Sequence, residues 1–510
     1  GKPITLRDIM THRPGFEETI KELFVSSARE LQPLNRYLPA HLPARIFPPG
    51  TVPAYSNYAA TLAAYIVQRV SKQSFDDYVE ANVLKPLGMA HASFRQPLPD
   101  ALKPLMSRGY KLASGDPKEF EYVDVAPAGS LAASAEAMTH FMIAHLQNGR
   151  YGDAQILKPE TAVQMHQRQE GWPAGMNAMC LGFYEESRNG QRIIGHGGDT
   201  QWFHSDLHLL LDANVGLFVS YNSAGRDDYS LRGVLLDRFM DRYFPVAQKI
   251  PPVLPTALQD ARKVAGVYEI SRRFETNIPA ITALLGEAAV TVQIKDSTIA
   301  IADAFKGVNG QAKRFREVGP MLFRAVDGPE QLAFQTDANG RRTIYIDYPF
   351  MVLQQVTRAA DRKTVNLVLI GYSLAVVALT LVFWPVAAMM RRHYGRPLTL
   401  SSQARRLRTL VRIVCALIIV YVIVLALLLK SLGEIGGATS AADFRIHVLQ
   451  VIGSVTGIGA VIAVFSAVQS WRDAEQWRWY KIWNTLLAVG CCGFFWVIWH
   501  SHLLNFHLNY

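Results

Sequence analysis

The sequence predicts an α+β chain in three parts: helices packed on an antiparallel sheet, then a small all-β domain, then an α-helical membrane domain. Three observations carry this. Helix and strand patterns alternate over residues 1–245, short period-two runs follow a proline-rich stretch, and four long apolar runs close the chain.

In the first part, Thr5-Leu6-Arg7-Asp8 fits a capping box and opens a helix that stops before Pro14-Gly15. Tyr58, Leu62, Tyr65, Ile66 and Arg69 recur at helical spacing, giving an amphipathic helix to about Val70. Ser74 caps another helix, which ends at Lys85-Pro86-Leu87-Gly88, and Ser134 caps a third running through Leu146. Strands are expected at 191–194, 205–211 and 215–221.

Pro251, Pro252 and Pro255 form a linker into the second part, residues 255–357. Runs at 266–270, 289–294, 298–301, 321–325, 331–335 and 342–348 have period-two character and are separated by Gly and Asp turns. They predict a small antiparallel, barrel-like domain with no ligand signature, acting as a spacer and packing partner before the membrane.

The third part, residues 364–510, holds four spans at about 365–390, 413–429, 446–469 and 482–499, each close to the roughly 20 apolar residues that cross a bilayer core. Membrane segments also explain why only 18% of the chain is charged, against roughly 25% in soluble proteins. The net charge of +10 is not a nucleic-acid signal, because seven arginines (Arg391, Arg392, Arg396, Arg405, Arg406, Arg408, Arg412) crowd one inter-helix loop without an acid. The next loop balances Lys430 and Arg445 against Glu434 and Asp443, and the third carries Arg472, Arg478 and Lys481 against Asp473 and Glu475. The positive-inside rule then places loops one and three in the cytoplasm, and residues 1–363, loop two and the C-terminus outside it.

Four cysteines, one alone in the soluble part and three in apolar runs, give no disulfide framework. The sequence starts at Gly1 without an initiator Met or signal peptide, so an exported N-terminal part leads us to expect further sequence upstream. No Walker loop, Rossmann glycine pattern, H-E-x-x-H or paired C-x-x-C is present, and no cofactor or metal is expected. His196, His204 and His208 cluster in sequence, with His204 and His208 on one face of a strand, but no carboxylate at suitable spacing completes a metal site.

Three local patterns carry chemistry together. They are Ile4-Thr5-Leu6-Arg7-Asp8-Ile9-Met10-Thr11-His12 with Pro14-Gly15; Phe47-Pro48-Pro49-Gly50 followed by Tyr55-Ser56-Asn57-Tyr58; and Gly195-His196-Gly197-Gly198-Asp199. In order and spacing, with Pro86-Leu87-Gly88-Met89 and Pro127-Ala128-Gly129-Ser130 between them, residues 1–225 resemble the serine β-lactamase and penicillin-binding protein superfamily, in its class C and esterase-like branch. The resemblance implies a β-lactamase/transpeptidase-like fold and an acyl-enzyme mechanism built from S-x-x-K, Y-x-N and K/H-x-G. Tyr55 and Asn57 match Y-x-N, while His196 and Gly198 match H-x-G. Tyr55 and His196 are then the catalytic candidates, and Asn57, Gly198 and Asp199 the substrate-binding ones. Asp199 enters through an amide that contributes to an oxyanion hole, while Ser130 is read as structural.

One departure stands out. No S-x-x-K occurs in residues 1–363, so the nucleophilic Ser and its Lys are not in this chain, and the nucleophile helix is expected before Gly1. The resemblance implies a hydrolase on the periplasmic or extracellular side of a bacterial inner membrane, acting on small peptide, acyl-D-amino-acid or ester substrates, with the lipid bilayer as its other partner and no nucleic acid. The alternative is a non-catalytic membrane receptor or scaffold that uses the hydrolase fold to bind peptides or cell-wall fragments.

Overall fold

The computed structural model describes residues 2–225, 231–247, 252–285, 288–301, 305–307, 310–396, 398 and 400–510. Pro251 of the linker lies outside them. The chain separates into two compact units, Gly1–Arg273 with Glu287–Val356, and Phe274–Gly286 with Thr357–Tyr510.

In the first unit the capping residues act as their chemistry requires. Helix α1 (Leu6–Met10) opens on a reciprocal box in which the Asp8 N–H donates to Thr5 Oγ1 at 3.2 Å and the Thr5 N–H donates to Asp8 Oδ2 at 2.8 Å. Serine oxygens cap α2 (Asn57–Ser71) through Ser56, α3 (Phe75–Val79) through Ser74 and α4 (Ala135–Leu146) through Ser134.

The central sheet contains β1 (Tyr184–Glu185), β2 (Ile193–Asp199), β3 (His204–Leu210) and β4 (Val215–Tyr221), in the antiparallel order β4-β3-β2-β1. Because strand side chains alternate, Ile193 and Ile194 serve opposite faces. Ile194, Leu207 and Leu209 pack on Met142 of α4, while Ile193 and Leu210 pack on Leu236 and Met240 of α5 (Leu231–Tyr243). The sheet is thus sandwiched by helices. Strand β2 runs on to Asp199 instead of stopping at residue 194, since its ladder with β3 continues from Ile193↔Leu210 to Asp199↔His204. A glycine-rich run reads locally as a turn, and cross-strand pairing overrides that preference.

Helix α6 (Ala257–Val264) leads into a closed barrel of β5 (Gly266–Ile270), β6 (Ala288–Gln293), β7 (Thr298–Ile301), β8 (Arg314–Gly319), β9 (Leu322–Ala325), β10 (Gln331–Thr336), β11 (Arg342–Ile346) and β12 (Val352–Gln355). Tyr268, Ile299, Phe315, Phe323, Leu332 and Ile344 fill it, with Ala261 and Val264 of α6 packed against them. Two strands escape a sequence reading. In β8 the inward-facing residues are Phe315 and a fully buried Glu317, whose carboxylate accepts from Thr256 Oγ1 and the Met321 N–H. In β12, Val352, Leu353 and Gln354 are all buried, so no alternation shows.

The second unit holds four helices long and apolar enough to cross a membrane, α7 (Lys363–His393), α8 (Ser402–Leu432), α9 (Asp443–Arg472) and α10 (Arg478–His500). Gly457 lets α9 approach α10 closely, because a Cβ there would lie 2.5 Å from the Phe495 ring, whereas one at Gly453 would meet Leu504 Cδ2 at 2.6 Å and the Tyr421 ring of α8 at 2.9 Å. Segment 274–286, which leaves the barrel after β5, belongs to this unit. Asn505 Nδ2 and His507 Nε2 both donate to Thr276 O, at 2.8 and 2.6 Å. Tyr510 donates to Thr439 O, and His500 lies 3.1 Å from Asp361. Those contacts gather segment 274–286, the α8–α9 loop and the C-terminal tail at one end of the bundle, while at the other end Arg408 stacks on Tyr480.

Candidate active site

The segment carrying Tyr55 is held from two sides. On the first, the Ala54 N–H donates to His12 O at 2.7 Å and the Gly50 N–H donates to Arg13 O at 2.8 Å. These bonds tie the second motif to the first. On the second side stands the barrel: Ser271 Oγ donates to Pro53 O at 2.5 Å and accepts from the Val352 N–H at 3.0 Å, and Ala54 bridges to Met351.

Tyr55 therefore has a defined neighbourhood. Its ring lies 4.0 Å from the His12 ring, 6.1 Å from His196 and 5.6 Å from Phe350, with the Arg272 guanidinium 4.8 Å above it. Arg272 is in turn ion-paired with Glu18. Burial raises the Tyr55 pKa above its ordinary value and the Arg272 charge only partly opposes this. The hydroxyl is accordingly protonated at neutral pH, which suits a proton relay better than a standing phenolate.

His196 sits on β2, the strand opposite. Its Nδ1 lies 2.6 Å from Gly197 O, which can only accept, so Nδ1 carries the proton of the neutral ring and Nε2 is left as a base. Burial lowers its pKa below the ordinary value, while the Gly197 bond and the Glu186 charge pull the other way. His12 is pushed down to about 3, chiefly by burial and then by the charges of His196 and Arg272. The site thus offers neutral imidazoles beside a neutral phenol.

The two faces of β2 divide its glycines. A Cβ at Gly195 would meet Leu207 O at 2.4 Å and one at Gly197 would meet Asp206 Oδ1 at 2.6 Å, whereas at Gly198 nothing lies within 4 Å. By strand alternation His196 and Gly198 share the open face. Asp199 falls on the other one, paired with His204 at 2.6 Å and with Arg232 at 2.7 Å. Burial works against its charge, yet the His204 bond and the Arg232 guanidinium hold its pKa below the ordinary carboxylate value. Its backbone is another matter. The Gly197 N–H donates to the Tyr184 hydroxyl at 2.6 Å on the edge of β2 facing β1, and β1 pairs only with Ile194 and Gly195. Two residues on, the Asp199 N–H points to the same, uncovered edge. Only that amide remains as the oxyanion-hole contribution expected of Asp199.

The remaining sequence candidates are also placed. Ser56, not Asn57, is the helix cap, so the Asn57 side chain at the first position of α2 is not spent on capping. Ser130 Oγ donates to Phe94 O at 3.0 Å, a structural role. His204 and His208 lie on the face of the sheet opposite His196, and His208 pairs with Glu186 at 2.5 Å. Among the described residues no group of three or more His, Cys, Asp or Glu could hold a metal ion.

Four neighbours were not legible as site residues. His12 sits inside a quoted motif. Tyr184, 5.2 Å from His196, could have been suspected from its aromatic position at a strand start. Arg272 and Phe350 have no local signal, being more than 200 residues from Tyr55 in sequence. Phe350 stands between Tyr55 and Tyr184, 4.9 Å from the latter, and Trp172 Nε1 anchors its loop by donating to Pro349 O at 2.9 Å. The barrel, expected to be a spacer and packing partner, thus walls the site. Phe350→Ala in the full-length protein is expected to raise the ratio of kcat/KM for bulky over small acyl substrates by about fivefold or more, the worth of roughly 1 kcal/mol of relieved contact. An unchanged ratio would show that Phe350 does not bound the substrate.

A family model described as Beta-lactamase matches residues 1–237. Protein flp of Staphylococcus aureus (strain N315) is 28% identical over 181 residues, covering 34% of this chain and 34% of that protein. The match therefore spans about a third of the curated relative's length. Among solved structures, SurE with D-Leu aligns over 69% of this chain and 78% of its own, at 17% identity and a TM-score of 0.42. A class C beta-lactamase aligns over 48% and 70%, at 16% identity and a TM-score of 0.38. With the family match over residues 1–237, and the Y-x-N and H-x-G elements close together within it, this stretch of the chain is a domain of the serine β-lactamase and penicillin-binding protein superfamily.

Proposed function

We propose that this protein is a membrane-anchored, extracytoplasmic serine hydrolase that cleaves amide or ester bonds of small peptide, acyl-D-amino-acid or related substrates through an acyl-enzyme. The observation that carries this is the pairing of Tyr55 with His196 beside the open face at Gly198. That geometry gives proton-transfer groups, room for a substrate backbone against β2, and an edge amide at Asp199 to receive developing negative charge. The residues described supply the acid–base and binding side of the chemistry; the attacking serine of the superfamily is not among residues 1–363 as S-x-x-K.

Charge and geometry together support this orientation. Segment 274–286 and the C-terminal tail meet at one end of the bundle, and the arginine-rich loop stands at the other, which the positive-inside rule assigns to the cytoplasm.

One experiment tests activity and side at once. Intact cells expressing the full-length protein are treated with a membrane-impermeant fluorophosphonate, alongside a lysate. Labelling in both supports the proposal. Labelling in the lysate alone would overturn the orientation, and none in either, with a control hydrolase labelled, would favour the receptor or scaffold reading.

A further inference from the structure

Three arginines at the loop-one end of the bundle are arranged unlike the rest. Arg391 near the end of α7, and Arg408 and Arg412 in α8, are half-buried, while Arg392, Arg396, Arg405 and Arg406 are exposed. The guanidinium of Arg412 lies 4.3 Å from the centre of the Trp384 ring, and that of Arg408 lies 5.2 Å from the centre of Tyr480. Arg408 and Arg412 are four residues apart on one face of α8, and Arg391 lies seven residues beyond Trp384 on one face of α7. Among the described residues, none of the three side chains makes an ion pair or a hydrogen bond. The two acids at this end, Asp473 and Glu475, do not approach them: Asp473 instead accepts from the Glu475 N–H at 3.1 Å and from Gln476 Nε2 at 3.1 Å.

Like charges held on neighbouring helix faces, half-buried and without a carboxylate partner among the described residues, repel one another unless an anion joins them. Depth identifies its source. Arg412 stands one residue before the apolar run that opens at Ile413, and about 15 Å along α8 from Ser402 at 1.5 Å per residue. Trp384 stands nine residues before the end of α7, at a matching depth. The charges therefore step down from the loop to the edge of the hydrocarbon. That is where a phosphodiester headgroup sits, and where Trp and Tyr rings settle.

We propose that Arg391, Arg408 and Arg412, with Trp384 and Tyr480, form a binding site for the headgroup of an anionic phospholipid. Guanidinium forks match the two non-bridging oxygens of a phosphodiester, and their stacking on the rings fixes the forks before the lipid arrives. This site is independent of the hydrolase reading.

The test uses full-length protein, delipidated in neutral detergent and titrated with phosphatidylglycerol, phosphatidylcholine or inorganic phosphate while Tm and retained lipid (by native mass spectrometry) are followed. Phosphatidylglycerol is expected to raise Tm and stay bound, and the other two to do neither. R408Q/R412Q is expected to weaken phosphatidylglycerol binding by about tenfold or more, and R392Q/R396Q, at the exposed positions, by less than about threefold. Equal losses in the two variants would mean diffuse attraction by the loop and would overturn the site. So would a phosphatidylcholine response equal to that of phosphatidylglycerol, or an equal effect of inorganic phosphate. If R408Q/R412Q does not fold, the wild-type comparison of the two lipids decides alone.

Discussion

Tyr55→Phe in the full-length protein is expected to lower kcat by about a hundredfold to ten-thousandfold while leaving Tm nearly unchanged. The magnitude is that of losing a positioned proton-transfer group. The reason for expecting so clean a separation is geometric. The ring of Tyr55 is fixed by His12, Phe350 and the Arg272 guanidinium, and the replacement keeps every one of those contacts. Its segment is fixed by backbone bonds through Ala54 and Pro53, which the replacement does not touch. Only the hydroxyl is lost, and burial keeps that hydroxyl protonated. Steady-state kinetics with a chromogenic ester, beside thermal unfolding, measure both halves. A variant retaining more than about half of wild-type kcat would remove Tyr55 from the mechanism, and one that lost Tm in proportion would show that the hydroxyl is structural.

Gly15→Ala should damage folding itself, at about 3 kcal/mol or more. Gly15 has φ +86°, where a side chain is strained, and a Cβ there would lie 2.1 Å from the carbonyl oxygen of Phe47. That carbonyl cannot swing aside freely, because the chain around it is bonded back to the same turn: the N–H groups of Ile46 and Phe47 both donate to Gly15 O, at 2.8 and 3.1 Å. Any relief must move residues 46–50 and, through the Gly50–Arg13 and Ala54–His12 bonds, the segment that presents Tyr55. Chemical denaturation should show a lower midpoint with an unchanged slope, and kcat should fall with it. Full stability in the variant would mean that the Phe47 turn is free to reorganise, and that the two motifs are not mechanically joined.

Gly15 shows how a sequence pattern can be read before its cause is known. The Pro14-Gly15 pair marks the end of the first motif in sequence, and only the fold reveals that it serves as the seat for the second. The helices were legible because their signals are local: Thr5, Ser74 and Ser134 each satisfy amide donors within three residues. The membrane spans were legible because a bilayer demands a long apolar run whatever the surrounding fold. Even there, the helices outrun the apolar windows, since backbone hydrogen bonding does not end where hydrophobicity does.

What escaped is what depends on partners far away in sequence. Strand β2 looks like a glycine turn until β3 pairs with it along its whole length. Strand β8 hides its inward face behind a carboxylate, Glu317, that is acceptable inside only because Thr256 and Met321 donate to it.

By itself, then, the sequence determined the α+β, all-β and apolar-helix order of the chain and the superfamily resemblance of residues 1–225, and it singled out Tyr55 and His196 as the catalytic candidates. Each rests on a local pattern, a composition or a motif spacing. Tertiary structure alone decided that the barrel walls the candidate site through Arg272 and Phe350, that Asp199 turns its carboxylate away from His196, and that Arg408 and Arg412 lie over the Tyr480 and Trp384 rings. These are encounters between elements whose register and packing angle no local pattern encodes, and their energies come from burial and charge that exist only once the chain has closed on itself.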